Sequence, residues 1–181
     1  MPAGALIVTA TLDDGAQTRF DELRRRHFPP ARNHLTAHVT LFHALPGQDR
    51  PTVDGDLAAA AAAVDGPIAL QVPGVRFFGR GVAVDLRSAR LDAVRAGLAR
   101  AWQGWLTPQD RQPFRPHVTV QNKVEPAQAR ALHEALAAAG PAALAPDGVH
   151  ATGLALWRYL GGPWEPLARY PFGAPAGSLR A

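Results

Sequence analysis

The sequence predicts an α+β fold with two lobes, related by a pseudo-twofold axis, whose antiparallel sheets face a central cleft. Two observations support this prediction. The pattern His-x-Thr-x, with an aliphatic residue at each x, occurs at residues 38–41 and 117–120, so the histidines are 79 positions apart (117 − 38). Around each copy the same elements recur in the same order: helix, proline-bearing loop, His-Val-Thr strand, alanine-rich helix and glycine-turn hairpin. An internal duplication, with halves of approximately 5–87 and 88–172, is the economical interpretation.

Length and composition set the broad class. A chain of 181 residues suits one domain, or two small lobes with a shared core, and we predict a single domain over 1–172 and a loose tail over 173–181. The hydrophobic content of 47% is typical of a globular protein. Cysteine is absent, which excludes disulfides, a thiolate nucleophile and Cys-bound metal sites.

Charge and hydropathy bear on location and partners. No segment approaches the roughly 18 apolar residues of a membrane span, and the start lacks a basic stretch followed by a long apolar run. The sequence therefore predicts a cytoplasmic protein without membrane association, and a monomer is expected. The net charge of +4 comes almost entirely from arginine, with Lys123 as the only lysine, which weakly favours anionic partners.

The elements of the first half follow from caps, periodicity and turn residues. Asp13 or Asp14 can cap the first helix, and the prolines at 29 and 30 end it. Gly79 and Arg80 form the hairpin turn. In chain order we predict a strand at 5–12, a helix at 13–26, the first His/Thr strand at 38–45, an alanine-rich helix at 54–64 and a hairpin formed by 68–78 and 81–87.

The second half repeats this order. Leu91, Val94, Leu98, Trp102 and Trp105 recur at helical spacing, so one long helix is expected, with both tryptophans in the core. We predict a helix at 88–106, the second His/Thr strand at 117–124, an alanine-rich helix at 126–140, and two strands, at 149–160 and 164–172, joined by a glycine pair.

Each His-x-Thr-x stretch can present chemistry on one face of a strand. Side chains alternate along a strand, so His and Thr share a face while the aliphatic residues occupy the other. Two imidazoles on opposite sides of a substrate can act as general base and general acid near neutral pH. A Thr hydroxyl two residues away, about 6.6 Å along the strand, can bind a phosphate oxygen. This scheme requires no metal.

The paired stretches resemble the two signatures of the 2H phosphoesterase superfamily, specifically its 2′-5′ RNA ligase and cyclic phosphodiesterase branch. Residues 160–172 are similar to the C-terminal hairpin of that family. The resemblance implies a bilobal fold with a central cleft, no cofactor, and His38 and His117 as the catalytic pair with Thr40 and Thr119 as phosphate ligands. It also implies opening of 2′,3′-cyclic phosphates to 2′-phosphates and reversible, ATP-independent 2′-5′ joining. RNA ends or small cyclic nucleotides are the expected partners.

Residues outside the two motifs are further candidates for contacting the substrate. Arg115 has the parity of His117 and lies about 7 Å from it on a strand, so it can touch a bound phosphate or remain a solvated loop residue. Arg76 and Arg158 occupy matching hairpin positions and are candidates for lining the cleft from both lobes, with surface charge as the alternative. Tyr159 is a candidate for base stacking, although hairpin aromatics commonly pack on a helix.

Some residues near the motifs allow other interpretations. His34, His38 and His43 suggest a metal site, but simple strand parity places His43 on the face opposite His38. Lys123 is about 20 Å from His117 on a straight strand. The arginines at 24–26 end a helix, where stabilisation of the helix dipole is the default role.

Three functional classes follow from these observations: a paired-histidine phosphodiesterase, a non-catalytic RNA-binding module on the same scaffold, and a metal-dependent hydrolase. We favour the first of them. The chain has no glycine-rich phosphate loop followed by lysine, so an ATP-driven ligase or kinase has no support.

Overall fold

The computed structural model describes residues 4–173, which form two antiparallel sheets and four α-helices and confirm the predicted α+β fold. The strands are β1 (Leu6–Leu12), β2 (Val39–Leu45), β3 (Ile68–Ala69), β4 (Gln71–Phe77), β5 (Val82–Arg87), β6 (His117–Gln121), β7 (His150–Tyr159) and β8 (Trp164–Pro171). The helices are α1 (Asp14–His27), α2 (Arg50–Ala62), α3 (Ala89–Ala101) and α4 (Pro126–Leu144). Apart from Gly173, the predicted loose tail lies outside the described residues.

The two sheets each contain one His/Thr strand at an edge. In the first sheet β2 is the edge strand, followed by β1 and β7, and both β8 and β3 pair with the far side of β7. The second sheet has the order β4-β5-β6, so β6 is its edge strand. Each sheet takes strands from both sequence halves, because β7 and β8 join β1 while β6 joins β5. A boundary near residue 87 therefore does not separate the sheets.

The chain passes between the sheets inside a segment predicted to be one strand, 68–78. Ile68 and Ala69 pair with β7 in the first sheet, whereas the chain from Gln71 onward pairs with β5 in the second. Between them the amide of Leu70 donates to the carbonyl of Val149 at 2.8 Å. One apolar run thus supplies strands to two sheets, which pattern alone does not reveal.

The helices confirm the predicted positions but differ at their ends. The helix predicted over 88–106 ends at Ala101, where buried Trp102 caps it and donates from Nε1 to Asp56 at 2.7 Å. The helix from Pro126 continues past its predicted end, because Gly140 adopts a φ of 78° that kinks the chain and Pro141 then starts a further turn. Within the described residues no helix is long and apolar enough to cross a membrane.

Candidate active site

The two His/Thr stretches meet where the edges of the two sheets contact each other. His38 immediately precedes β2, His117 opens β6, and these two strands are in contact. The aliphatic residues of both stretches are buried, whereas the alternating His and Thr side chains remain partly exposed. The partly exposed residues are His38, Thr40, His117 and Thr119. The structure therefore brings the four predicted residues to one junction.

Each of the two histidines is oriented by the same local hydrogen bond. Nδ1 of His38 lies 2.8 Å from the carbonyl oxygen of Thr36, and Nδ1 of His117 lies 2.8 Å from that of Arg115. A carbonyl oxygen can only accept, so Nδ1 must carry the proton in both rings. Nε2 is consequently the nitrogen left to exchange a proton with a ligand.

The environment of both histidines lowers their pKa. Burial lowers the pKa of His38 to about 4, assisted by the charges of Arg24, His117 and His43, while the bond to Thr36 opposes this shift. Burial also lowers the pKa of His117, and the nearby Arg76 adds to the effect. Both imidazoles are therefore biased toward the neutral form in the free protein.

Arg24 connects the two His/Thr stretches through its guanidinium. This side chain is 4% exposed and donates from Nε to Leu35 O at 3.2 Å and from Nη1 to Thr119 O at 2.7 Å. Nη2 donates to the Asn33 side chain at 2.8 Å. Arg24 lies in the last turn of α1, where an interaction with the helix dipole is expected. Its guanidinium in addition ties the loop before His38 to β6.

Two further residues on the same face of α1 hold that loop. Asp21 accepts from the amide of Ala37 at 2.5 Å, and Gln17 donates to the carbonyl of Ala37 at 3.0 Å. Positions 17, 21 and 24 recur at helical spacing, so one face of α1 fixes the backbone that leads into His38. The residues before the first catalytic candidate are thereby positioned by a helix rather than by the loop itself.

The second sheet places charged groups beside His117. Asp85 is the register partner of His117, and Arg76 donates to Asp85 from Nη2 at 2.6 Å and from Nε at 2.9 Å. Arg115 is exposed one residue before Pro116. Arg76, Asp85 and Arg115 line a common open cavity of about 880 Å³. Of the predicted contacts, the structure thus brings Arg76 and Arg115 to the His117 side.

The first sheet places aromatic groups beside His38. The ring of Trp164 lies 4.8 Å from that of His38, centroid to centroid, and Trp157 donates from Nε1 to Thr9 at 2.9 Å. Both tryptophans and Arg169 line a cavity of about 460 Å³ that includes His38. Tyr159 pairs in register with Trp164 and shares its face, although it does not line this cavity.

Arg158 lies on the other face of the first sheet. It pairs in register with Leu6 and donates from Nη1 to Glu165 at 2.8 Å, whereas Trp157 and Tyr159 point to the opposite side. The matching hairpin positions of Arg76 and Arg158 therefore do not bring both arginines to the cleft. Matching the two hairpins along the sequence does not show which face of each sheet packs on the core, and this face differs for the two arginines.

A β-bulge alters the expected orientation of His43. Thr40 pairs with Thr9 but Phe42 pairs with Val8, so one extra residue of β2 interrupts the alternation at Leu41. The side chain of Phe42 is buried, and His43, next in the chain, returns to the face of His38 and Thr40. The expectation that His43 lies opposite His38 is wrong, because it assumed a regular strand. Even so, residues 4–173 contain no group of three or more His, Asp or Glu side chains that could hold a metal ion.

Comparisons with known proteins show the family to which the chain belongs. The family model described as the 2′-5′ RNA ligase superfamily matches residues 12–163, which include both His/Thr stretches. The chain belongs to this superfamily. Its members are 2H phosphoesterases, so the family expected from the motifs is confirmed. No curated protein sequence matches the chain at a significant level.

Solved structures share the 2′-5′ RNA ligase superfamily fold at low sequence identity. The Thermus thermophilus protein TT0787 is 16% identical with a TM-score of 0.61, and the match covers 94% of this chain and 98% of that one. Escherichia coli LigT complexed with 3′-AMP is 15% identical with a TM-score of 0.56, covering 96% and 100%. A structure described as a phosphoesterase is 17% identical with a TM-score of 0.60, at the same coverage.

The sequence alone does not identify some residues that contact the site. Asp85 could have been found from the strand register, because it lies opposite His117. Arg24 was one of three consecutive arginines with no feature to distinguish it. Asp110, which binds His43, is an isolated acid in a polar loop and has no sequence signal.

Proposed function

We propose that this protein is a metal-independent phosphodiesterase that opens 2′,3′-cyclic phosphates, at RNA ends or in small cyclic nucleotides, to 2′-phosphates. The observation that supports this best is the pair of histidines on adjoining sheet edges, each with Nδ1 bonded to the carbonyl two residues earlier. Both rings leave Nε2 for proton transfer, which is what an acid and a base acting on one phosphorus require. Escherichia coli LigT, which shares the fold, has been solved with 3′-AMP.

The reaction follows from these positions. One neutral His removes a proton from water as its oxygen attacks phosphorus, and the P–O3′ bond breaks. The other His, in its protonated form, gives its proton to O3′, so the 2′-phosphate remains. Hydroxyls of Thr40 and Thr119 donate to the non-bridging oxygens. On the His117 side the phosphate is contacted by Arg115 and by Arg76, whose charge is partly balanced by Asp85. Trp164 and Trp157 offer surfaces for a base beside His38.

Joining of RNA ends uses the same groups in the same roles, with an RNA hydroxyl as the nucleophile. The 5′-hydroxyl of a second RNA end attacks the cyclic phosphate in place of water, the P–O3′ bond breaks, and the histidines again remove one proton from the nucleophile and supply one to O3′. This reaction needs no ATP, because the strained cyclic ester carries the energy for the new bond. We therefore include reversible 2′-5′ ligation in the proposal.

The proposal is tested with single histidine variants in the presence of EDTA. His38→Ala and His117→Ala should each lower the hydrolysis of a nucleoside 2′,3′-cyclic phosphate by at least about a hundredfold, because each removes one proton-transfer group. His133→Ala is the matched control, since His133 packs against Phe77 outside the cleft. The product should be a 2′-phosphate, as identified by ³¹P NMR.

Two outcomes would contradict the proposal. Full activity in both His38→Ala and His117→Ala would exclude the paired-histidine mechanism, and a 3′-phosphate product would exclude the assigned bond cleavage. Salt-sensitive RNA binding without turnover, unaffected by either variant, would instead support a non-catalytic RNA-binding module.

A further inference from the structure

A third histidine lies beside the proposed catalytic pair and is not used by the mechanism above. The main-chain amide and Nδ1 of His43 both donate to Oδ1 of Asp110, at 2.8 and 2.9 Å. Ala44 N and the Thr107 hydroxyl donate to the other carboxylate oxygen, at 3.2 and 3.0 Å. Asp110 is only 2% exposed, so this is a buried carboxylate whose two oxygens are both bonded. Such a group holds the His43 ring in one orientation.

The remaining nitrogen of His43 is available to a ligand. Nδ1 is occupied by Asp110, so Nε2, on the opposite side of the ring, is the nitrogen left for another contact. The side chain is 36% exposed even though its partner is buried. The bulge at Leu41 places it on the face of His38 and Thr40. The charge of His43 contributes to the lowered pKa of both His38 and His117.

We propose that His43 is a third phosphate-binding residue of the cleft, which donates from Nε2 to a phosphate oxygen while Asp110 holds its Nδ1. This inference rests on the proposed function and extends it to ligand preference. A cyclic phosphodiester carries one negative charge, whereas the phosphomonoester product carries nearly two at neutral pH. An additional donor that is charged when it binds favours the dianion, so His43 strengthens the binding of product more than that of substrate.

A purely structural role for His43 makes a different prediction. Asp110 accepts from the edge of β2 through the amides of His43 and Ala44. A brace of this kind needs a donor at the Nδ1 position only, whereas phosphate binding needs the donor at Nε2. The amide of Asn occupies the position of Nδ1, and the amide of Gln reaches the position of Nε2. These two substitutions therefore separate the roles.

The experiment measures binding of inorganic phosphate by isothermal titration calorimetry, with EDTA present, for wild type, His43→Asn and His43→Gln. His43→Asn should melt close to the wild-type temperature and bind phosphate about tenfold more weakly, as expected for loss of one charge-assisted hydrogen bond. His43→Gln should melt lower and retain more of the phosphate affinity. His133→Asn, outside the cleft, should change neither quantity. In wild type, phosphate should also shift the Nε2 resonance assigned to His43.

The outcomes separate this inference from the proposed function, because phosphate binding does not require turnover. Wild-type phosphate affinity in His43→Asn, or no phosphate binding by the wild type, would overturn the role of His43. Phosphate binding through His43 in a protein that hydrolyses no cyclic phosphate would overturn only the proposed function. Where turnover occurs, inhibition by the 2′-phosphate product should weaken about tenfold in His43→Asn, with a smaller rise in KM.

Discussion

At the scale of single residues, one backbone carbonyl decides how each cleft histidine can react. In a strand, residues i and i−2 lie on the same side, so the extended backbone brings the carbonyl two residues earlier within reach of Nδ1. His38 and His117 use this contact with equal donor–acceptor distances of 2.8 Å. The duplication therefore preserves a reactive geometry as well as a motif.

The pH dependence of activity follows from the lowered pKa values. The proposed mechanism requires one neutral and one protonated histidine, and this combination is most populated between the two macroscopic pKa values of the pair. The pKa of His38 is lowered to about 4 and that of His117 also lies below its usual 6.5. We therefore expect a bell-shaped profile of kcat/KM with its maximum on the acidic side of pH 6.5, because kcat/KM reports the free enzyme.

The companion measurement is the profile of kcat. A bound phosphate stabilises the protonated imidazoles, so the kcat maximum should lie at higher pH than that of kcat/KM. A maximum of kcat/KM well above pH 7 would contradict the effect that burial is expected to have on both rings.

The same shifts predict acid sensitivity of the fold. His38 stays neutral in the folded protein down to about pH 4, whereas in the unfolded chain it binds a proton below about pH 6.5. Protons thus favour the unfolded state, and stability falls as the pH decreases from 6.5 toward 4. Urea unfolding at a series of pH values should show this decline, and His38→Gln should show a shallower one. An equal decline in both proteins would exclude His38 as a cause.

Regular alternation made the four motif residues predictable, and its interruption explains where residue-level reasoning failed. In each motif the Thr follows the His by two residues, so strand parity suffices to place both side chains on one face. His43 follows a bulge that only the pairing of β1 with β2 reveals. Arg76 and Arg158 occupy matching hairpin positions, but Arg76 shares the face of His117 whereas Arg158 lies on the face opposite Trp157.

At the scale of elements, helix α1 is part of the site although it contributes no catalytic group. Its residues Gln17, Asp21 and Arg24 bond to the loop before His38, and Arg24 also reaches Thr119 in β6. Buried charges are costly unless their hydrogen bonds are satisfied, and the Arg24 acceptors meet this need. The planar guanidinium suits three acceptors in different directions, which a lysine ammonium does not match.

Substitution of Arg24 should destabilise the protein. In Arg24→Met the carbonyls of Leu35 and Thr119 lose a buried donor, and we expect a loss of about 2–4 kcal/mol in the free energy of unfolding. Arg25→Met is the matched control, because Arg25 is exposed on the same helix and should change stability by less than about 0.5 kcal/mol. Urea denaturation monitored by tryptophan fluorescence measures both. Equal stability of the two variants would show that the Arg24 contacts contribute nothing.

The positions of the helices and strands were largely predictable because caps, prolines and periodicity act locally. The ends of the helices and strands were less predictable. Trp102 lies on the apolar stripe of α3 but its indole bonds to Asp56 on α2, and the helix stops there. The division of 68–78 between two sheets depends on which partners are available, which is a property of the whole fold.

At the scale of the whole molecule, the two sequence halves contribute strands to both sheets, and each half forms hydrogen bonds to the other. Arg24 from the first half bonds to Thr119 in β6, and Asp110 from the second half bonds to His43 and Ala44 in β2. Each contact ties a residue of one half to the His/Thr strand of the other half. The duplication visible in the sequence is therefore organised as one unit around the junction of two edge strands.

This interleaving predicts that neither half folds alone. Fragment 1–87 lacks β7, the strand that pairs with β1, β3 and β8, and fragment 88–181 lacks β5, the only strand of the second sheet that pairs with β6 in the described structure. Each fragment would expose long unpaired edges and part of the common core, and two-stranded remnants are at best marginally stable.

We therefore expect each fragment, expressed separately, to give a poorly dispersed ¹H–¹⁵N spectrum, whereas co-expression should yield a complex with the spectrum of the intact chain. A cooperative thermal transition in either isolated fragment would contradict this expectation. In the complex, cyclic phosphate hydrolysis should return together with folding, because His38 comes from one fragment and His117 from the other. Since Arg24 and Asp110 each bond across the cut, Arg24→Met should weaken reassociation of the fragments more than Arg25→Met does.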